Sequence, residues 1–88
     1  MYKVEYTPKA IKELMKLDRG TSSMIYSWID KNLINCTNPR GRGKGLTGDL
    51  SGQWRYRIGD YRIIAKIDDN TVTILVLTAG HRREIYNK

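Results

Sequence analysis

Three arginines fall within eight residues in Trp54-Arg55-Tyr56-Arg57-Ile58-Gly59-Asp60-Tyr61-Arg62, at a spacing that can hold a phosphate. Strand alternation sends Trp54, Tyr56 and Ile58 to one face and Arg55 and Arg57 to the other. If Gly59-Asp60 is a two-residue hairpin turn, Ile58 pairs with Tyr61 and Arg57 with Arg62. Arg62 then joins the face of Arg55 and Arg57, and Ile64 and Lys66 continue it. Like charges directly opposed weaken a sheet. Between Arg55 and Lys66 the only acidic residue is Asp60, and it sits in the turn. One explanation is a solvated outer face with its arginines splayed into water. The other is a phosphate cradle, because guanidinium forks match phosphate oxygens in pairs. The ending Gly80-His81-Arg82-Arg83-Glu84-Ile85-Tyr86 is expected at the edge of the same sheet, bringing His81, Arg82 and Tyr86 towards the cradle. Each also has an ordinary explanation: a surface histidine, an Arg83–Glu84 surface pair, and Ile85 and Tyr86 packing on the core.

These residue types suit some reactions and not others. One His and one Cys, with no close carboxylate cluster, do not make a metal site, and no cofactor is expected. The run Gly43-Lys44-Gly45 departs from a phosphate-binding P-loop at its last position. RNA cleavage needs neither device. The ribose 2′-hydroxyl attacks its own phosphate once the groups are in line, the phosphate charge is stabilised and protons are moved. Arginine supplies the charge stabilisation, and a nearby Tyr, His or Lys can act as acid or base.

The elements that must position these groups follow from periodicity. Tyr2 to Tyr6 alternates like a half-buried strand. Thr7 then offers an N-cap hydroxyl and Pro8 suits the first helical position. Ala10, Ile11, Leu14, Met15 and Leu17 recur at helical spacing, and Gly20 is expected to end that helix. A second helix is expected over 22–33, with Met24, Ile25, Trp28, Ile29 and Leu33 on its apolar face. From Cys36 to Gly52 five glycines mark a long loop. Its first half is basic through Arg40, Arg42 and Lys44, candidate RNA contacts together with Lys66 and Arg83. Three strands follow over 53–58, 61–68 and 71–79, with turns at Gly59-Asp60 and Asp69-Asn70. The order strand, helix, helix, strand, strand, strand predicts an α+β fold. A helical hairpin should pack on one face of a small, mainly antiparallel four-stranded sheet.

Composition sets the outer limits. Eighty-eight residues are expected to form a single domain over 1–88 with a modest core. The lone Cys36 excludes an internal disulfide and fits a reducing cytoplasm. The apolar runs are too short to span a membrane. Sixteen Lys and Arg against nine Asp and Glu give a net charge of +7, which favours an anionic partner.

The hairpin 54–64 and the tail Gly-His-Arg-Arg-Glu-Ile-Tyr together resemble the RelE toxins of bacterial toxin–antitoxin pairs, over essentially the whole chain. The resemblance implies a RelE-like fold and a metal-independent endoribonuclease. Such a toxin enters the ribosomal A site, contacts ribosomal RNA and cuts the bound messenger. It implies that Arg55 and Arg57 bind the scissile phosphate, where the family pattern has lysines. It also implies that Arg62 and Arg82 stabilise the transition state, and that Tyr86 stacks on a base or orients the 2′-hydroxyl. A histidine near the tail transfers protons in related toxins, which makes His81 a candidate acid or base. The implied partner is a cognate antitoxin that covers the basic face and carries the operator-DNA contact, in the cytoplasm of a bacterium or archaeon. The ParE branch of the same fold poisons DNA gyrase, and generally lacks the full arginine-plus-tyrosine set. A non-catalytic RNA-binding module is the third possibility. It would need exposed aromatic platforms, but Trp54 and Tyr56 fall opposite the arginines.

Overall fold

The computed structural model describes residues 1–86, Tyr86 by its backbone only. Strand β1 (Lys3–Tyr6) leads into helix α1 (Pro8–Met15) and helix α2 (Arg19–Asn32). A loop with two short 3-10 turns flanks β2 (Lys44–Gly45), and then come β3 (Gln53–Ile58), β4 (Tyr61–Asp68), β5 (Thr73–His81) and the short helix α3 (Arg82–Tyr86). The sheet order is β1-β5-β4-β3-β2, with β1 parallel to β5 and the other pairs antiparallel.

The α+β layout is as expected, with one more strand. Lys44 and Gly45 pair with Arg55 and Trp54, so part of the glycine-rich loop is a sheet edge. Gly43 permits it. A Cβ there would stand 2.4 Å from the Arg55 carbonyl oxygen and 2.8 Å from the Tyr56 ring. Gly20 does not end the first helix. The Asp18 carboxylate accepts from Thr21 N at 3.0 Å and caps α2, which places Gly20 in its first turn. The β4–β5 connection is longer than two residues, because Asp68 pairs with Thr73 and leaves 69–72 as the loop. The tail also differs: it leaves the sheet and folds into α3.

The helices cover one sheet face. Leu14 of α1 and Ile25, Ile29 and Leu33 of α2 bury against Tyr56, Ile63, Ile74 and Val76. Tyr56 is fully buried and its hydroxyl donates to the Pro39 carbonyl at 2.8 Å. Burial pushes that phenol well above its ordinary pKa, so it stays protonated and keeps donating. Tyr56→Phe should leave the buried Pro39 carbonyl unpaired and lower stability by about 1–3 kcal/mol. Urea melts would read this loss, with activity per folded molecule unchanged.

Where β1 ends, Thr7 and Glu13 take over the edge of β5. Thr7 N donates to the Val76 carbonyl and Thr7 Oγ1 to the Leu77 carbonyl, both at 3.0 Å. Glu13 accepts from Thr78 Oγ1 at 2.6 Å and from Ala79 N at 3.0 Å. The register shifts here: Ile64 pairs with Thr78 but Ala65 with Val76, so Leu77 is the extra residue of a β-bulge. The hydrogen bonds from α1 hold the bulge and aim the end of β5.

Candidate functional site: an arginine face beneath the tail helix

The β3–β4 hairpin has the register its sequence implies: Ile58 with Tyr61, Arg57 with Arg62, Arg55 with Ile64. Gly59 takes φ +60 at the first turn position, a conformation glycine adopts freely. Arg55, Arg57 and Arg62 therefore share the face away from the helices. Lys44 joins them, as the partner of Arg55 across the β2–β3 pair.

Arg62 differs from the rest. It is only 4% exposed. Its Nη1 donates to the Gly59 carbonyl at 2.8 Å and to the Tyr61 carbonyl at 2.9 Å, which ties the side chain to the turn. Its Nε is buried and has no hydrogen-bond partner among the described residues. Among the described residues, no carboxylate lies within ion-pairing distance of it. Arg stays protonated in proteins, and an unpaired buried charge costs several kcal/mol. A guanidinium anchored on one side and unsatisfied on the other is suited to receive an anion.

The tail helix covers part of this face. Gly80 pairs with Arg62, so a Cβ on Gly80 would point to the arginine side. The atoms it would meet are Ile85 Cδ1 at 3.6 Å and Glu84 Oε2 at 3.7 Å. Arg82 N donates to the Asp60 carbonyl at 2.9 Å, which pins the start of α3 to the hairpin turn. Arg82 and Arg83 are exposed on this helix. The Tyr86 side chain lies outside the described residues. Beside the arginines, Ile64 floors a cleft of about 430 Å³ walled by Leu46, Leu50, Leu77 and Ile85, with Gln53 at its edge.

The remaining candidates are not gathered here. His81 pairs with Tyr61, on the helix side of the sheet, and packs edge-on against that ring at 5.4 Å. Its Nδ1 accepts from Arg83 N at 3.2 Å, so it caps α3. The expectation that His81 lies beside the cradle is corrected: pairing with Tyr61 sends it through to the other face. Arg40 grips both oxygens of Asp69 at 3.1 Å, and Tyr2 donates to Asp69 at 2.6 Å. The Arg40 bonds, then that of Tyr2, hold the Asp69 carboxyl below its ordinary pKa. This exposed tether therefore holds at neutral pH and weakens only as pH falls through that lowered value. Arg40 thus fastens the loop to the β4–β5 turn. Arg42 lines a separate depression with Lys31 and Asn38. Lys66 is exposed at the far end of the face, beside Gln53 in register. No group of three His, Cys, Asp or Glu that could hold a metal gathers among the described residues.

Two residues of the site carry little signal in the sequence. Lys44 lies in a two-residue strand, which is too short to show alternation. Glu84 has the neighbours of an ordinary surface pair. Its placement depends on the turn from β5 into α3, which has no local pattern in the sequence.

Comparison with known proteins is consistent with this geometry. Residues 4–86 match the family model described as ParE toxin of type II toxin-antitoxin system, parDE. Toxin RelG of Mycobacterium tuberculosis is 31% identical over 87 residues, covering 99% of this chain and 98% of the relative. Toxin RelE of the same organism is 31% identical over 85 residues, covering 97% and 86%. In the crystal structure of the RelBE2 toxin-antitoxin complex of M. tuberculosis, the similar chain superposes with a TM-score of 0.84 at 31% identity, covering 92% of this chain and 98% of that one. Among the described residues no helix is long and apolar enough to cross a membrane. A helix-backed sheet with an arginine face, matched over nearly its whole length, places this chain in the RelE/ParE family of toxins of type II toxin–antitoxin systems.

Proposed function

We propose that the chain is an endoribonuclease toxin that cuts messenger RNA on the ribosome by attack of a 2′-hydroxyl on the adjacent phosphate. The observation that carries this reading is Arg62, buried, anchored to the turn carbonyls and without a counter-ion among the described residues. A phosphate bridged between Arg62, Arg57 and Arg55 would supply the missing charge. It would also meet donors already in place as negative charge builds in the transition state. Arg82 adds a cation from the tail, Lys44 one from β2, and Arg83 and Lys66 extend the basic track for RNA. Tyr86 keeps the role of stacking on a base or orienting the 2′-hydroxyl. Arg40 and Arg42 contribute background charge rather than contacts at the cut.

A cognate antitoxin is the expected regulatory partner, since the similar RelBE2 structure is a toxin-antitoxin complex. It would neutralise the arginine face, carry the operator-DNA contact, and leave the free toxin to act in the cytoplasm where ribosomes are. One finding favours a second reading, poisoning of DNA gyrase: the matching family model is the ParE toxin. Brief induction in cells separates the two. New 5′ ends inside translated messengers, without gyrase-linked DNA breaks, support the nuclease. DNA breaks with intact messengers would replace it with the gyrase reading.

A further inference from the structure

Among the described residues, the arginines of this face offer no proton acceptor. Arg55, Arg57 and Arg62 stay protonated. His81 is on the other side of the sheet with its Nδ1 engaged. The carboxylate that the structure does bring to this face is Glu84. Its Oε2 lies 3.7 Å from where a Gly80 Cβ would stand, and Gly80 is the register partner of Arg62. Partners across an antiparallel pair have Cα atoms about 4.5–5.5 Å apart, so the carboxylate sits over the strand next to Arg62. It does not lock onto Arg62: no ion pair between them forms among the described residues. The Arg82–Asp60 backbone bond fixes the first turn of α3 and hence the height of Glu84 above the sheet.

We propose that Glu84 is the proton acceptor of this face, acting on the 2′-hydroxyl of the ribonucleotide whose phosphate lies on Arg62. This rests on the nuclease reading above. The Glu84 carboxylate takes the 2′-hydroxyl proton, and the 2′-oxygen forms a bond to phosphorus. The bond from phosphorus to the 5′-oxygen then breaks, and the leaving oxygen takes a proton from water. The hydroxide so formed removes the proton from Glu84. A carboxylate suits a face of arginines, because it can take a proton that guanidinium groups cannot.

The test is single-turnover cleavage of messenger in programmed ribosomes by the full chain, comparing wild type, Glu84→Gln, Glu84→Asp and Lys44→Met. Glu84→Gln should slow cleavage about 100-fold or more, with ribosome affinity and thermal melting unchanged. Glu84→Asp should recover part of the rate. The wild-type pH–rate profile should carry an acidic limb that is absent from Glu84→Gln. The other charged groups around it are Arg62 on β4, Arg55 and Arg57 on β3, Lys44 on β2, Arg82 and Arg83 on α3, and Glu13 on α1, which accepts from Ala79 N next to Gly80; Asp60 and Glu13 are the carboxylate controls to be substituted separately. A wild-type rate or an intact acidic limb in Glu84→Gln overturns the assignment while leaving the nuclease reading in place. So does a wild-type rate in Glu84→Gln together with a loss in Lys44→Met, which would move the proton acceptor to β2. Failure of the wild type to cut messenger overturns both.

Discussion

Arg62→Ala is expected to abolish messenger cleavage and growth inhibition, with a loss of about 100- to 1000-fold in the single-turnover rate. The reasoning starts from burial. Arg62 is shielded by the hairpin turn and the tail, and its Nη1 is already committed to two turn carbonyls. What remains is the unpaired side of the guanidinium, including the orphaned Nε. A charge-assisted fork to phosphate is the interaction that burial makes strong and that water cannot replace. Arg62→Lys should recover little, because a point charge cannot hold the carbonyls and the phosphate at once. Arg82→Ala should weaken cleavage less, since that side chain is exposed. The Arg62→Ala variant should remain folded, because it removes an unpaired buried charge along with the two turn bonds. Circular-dichroism melts alongside the kinetics check this. Cleavage by Arg62→Ala at the wild-type rate would remove the arginine cradle from the mechanism.

The second large effect is expected at Gly43. An added methyl group would collide with the Arg55 carbonyl oxygen at 2.4 Å and with Trp54 and Tyr56 ring carbons at 2.8 Å. Neither the strand backbone nor the buried Tyr56 ring can retreat cheaply. Gly43→Ala should therefore destabilise by about 1–3 kcal/mol and push β2 away from β3. Lys44 would lose its place beside Arg55, so cleavage per folded molecule should drop as well. Gly48→Ala is the contrast: nothing lies within 4 Å of the added atom, so the change acts only through its positive φ. Denaturant midpoints for the two variants, with Arg55 amide hydrogen exchange as the local probe, separate collision from backbone preference. Equal stability for Gly43→Ala and wild type would mean that β2 is not packed as described.

These residues also show why part of the molecule was legible beforehand. The β3–β4 hairpin is local. Alternation, one glycine in a positive-φ turn and six register pairs define it without help from distant parts of the chain. The two helices were recognisable from their apolar stripes, and their boundary was missed only because the Asp18 cap outweighed the breaker at Gly20. The short strand β2 has no pattern of its own and exists because Gly43 permits a close approach. The direction of the tail was hidden for a different reason. Its turn away from the sheet depends on the Asp60 carbonyl, more than twenty residues earlier, and on His81 capping Arg83 N. That turn sends Glu84 to the arginine face, whereas pairing with Tyr61 sends His81 to the other. The arginine cluster was therefore readable from sequence, and the groups placed around it by long-range contacts were not.

The most direct test of the central claim is the chemistry of the cut ends. Messenger carrying a ribonucleotide or a 2′-deoxynucleotide at the ribosomal A-site codon should be incubated with programmed ribosomes and the toxin. The account predicts a 2′,3′-cyclic phosphate on the upstream fragment and a 5′-hydroxyl on the downstream one, with no cut at the deoxy position. Cleavage that persists at the 2′-deoxynucleotide, or intact messenger throughout, would contradict it.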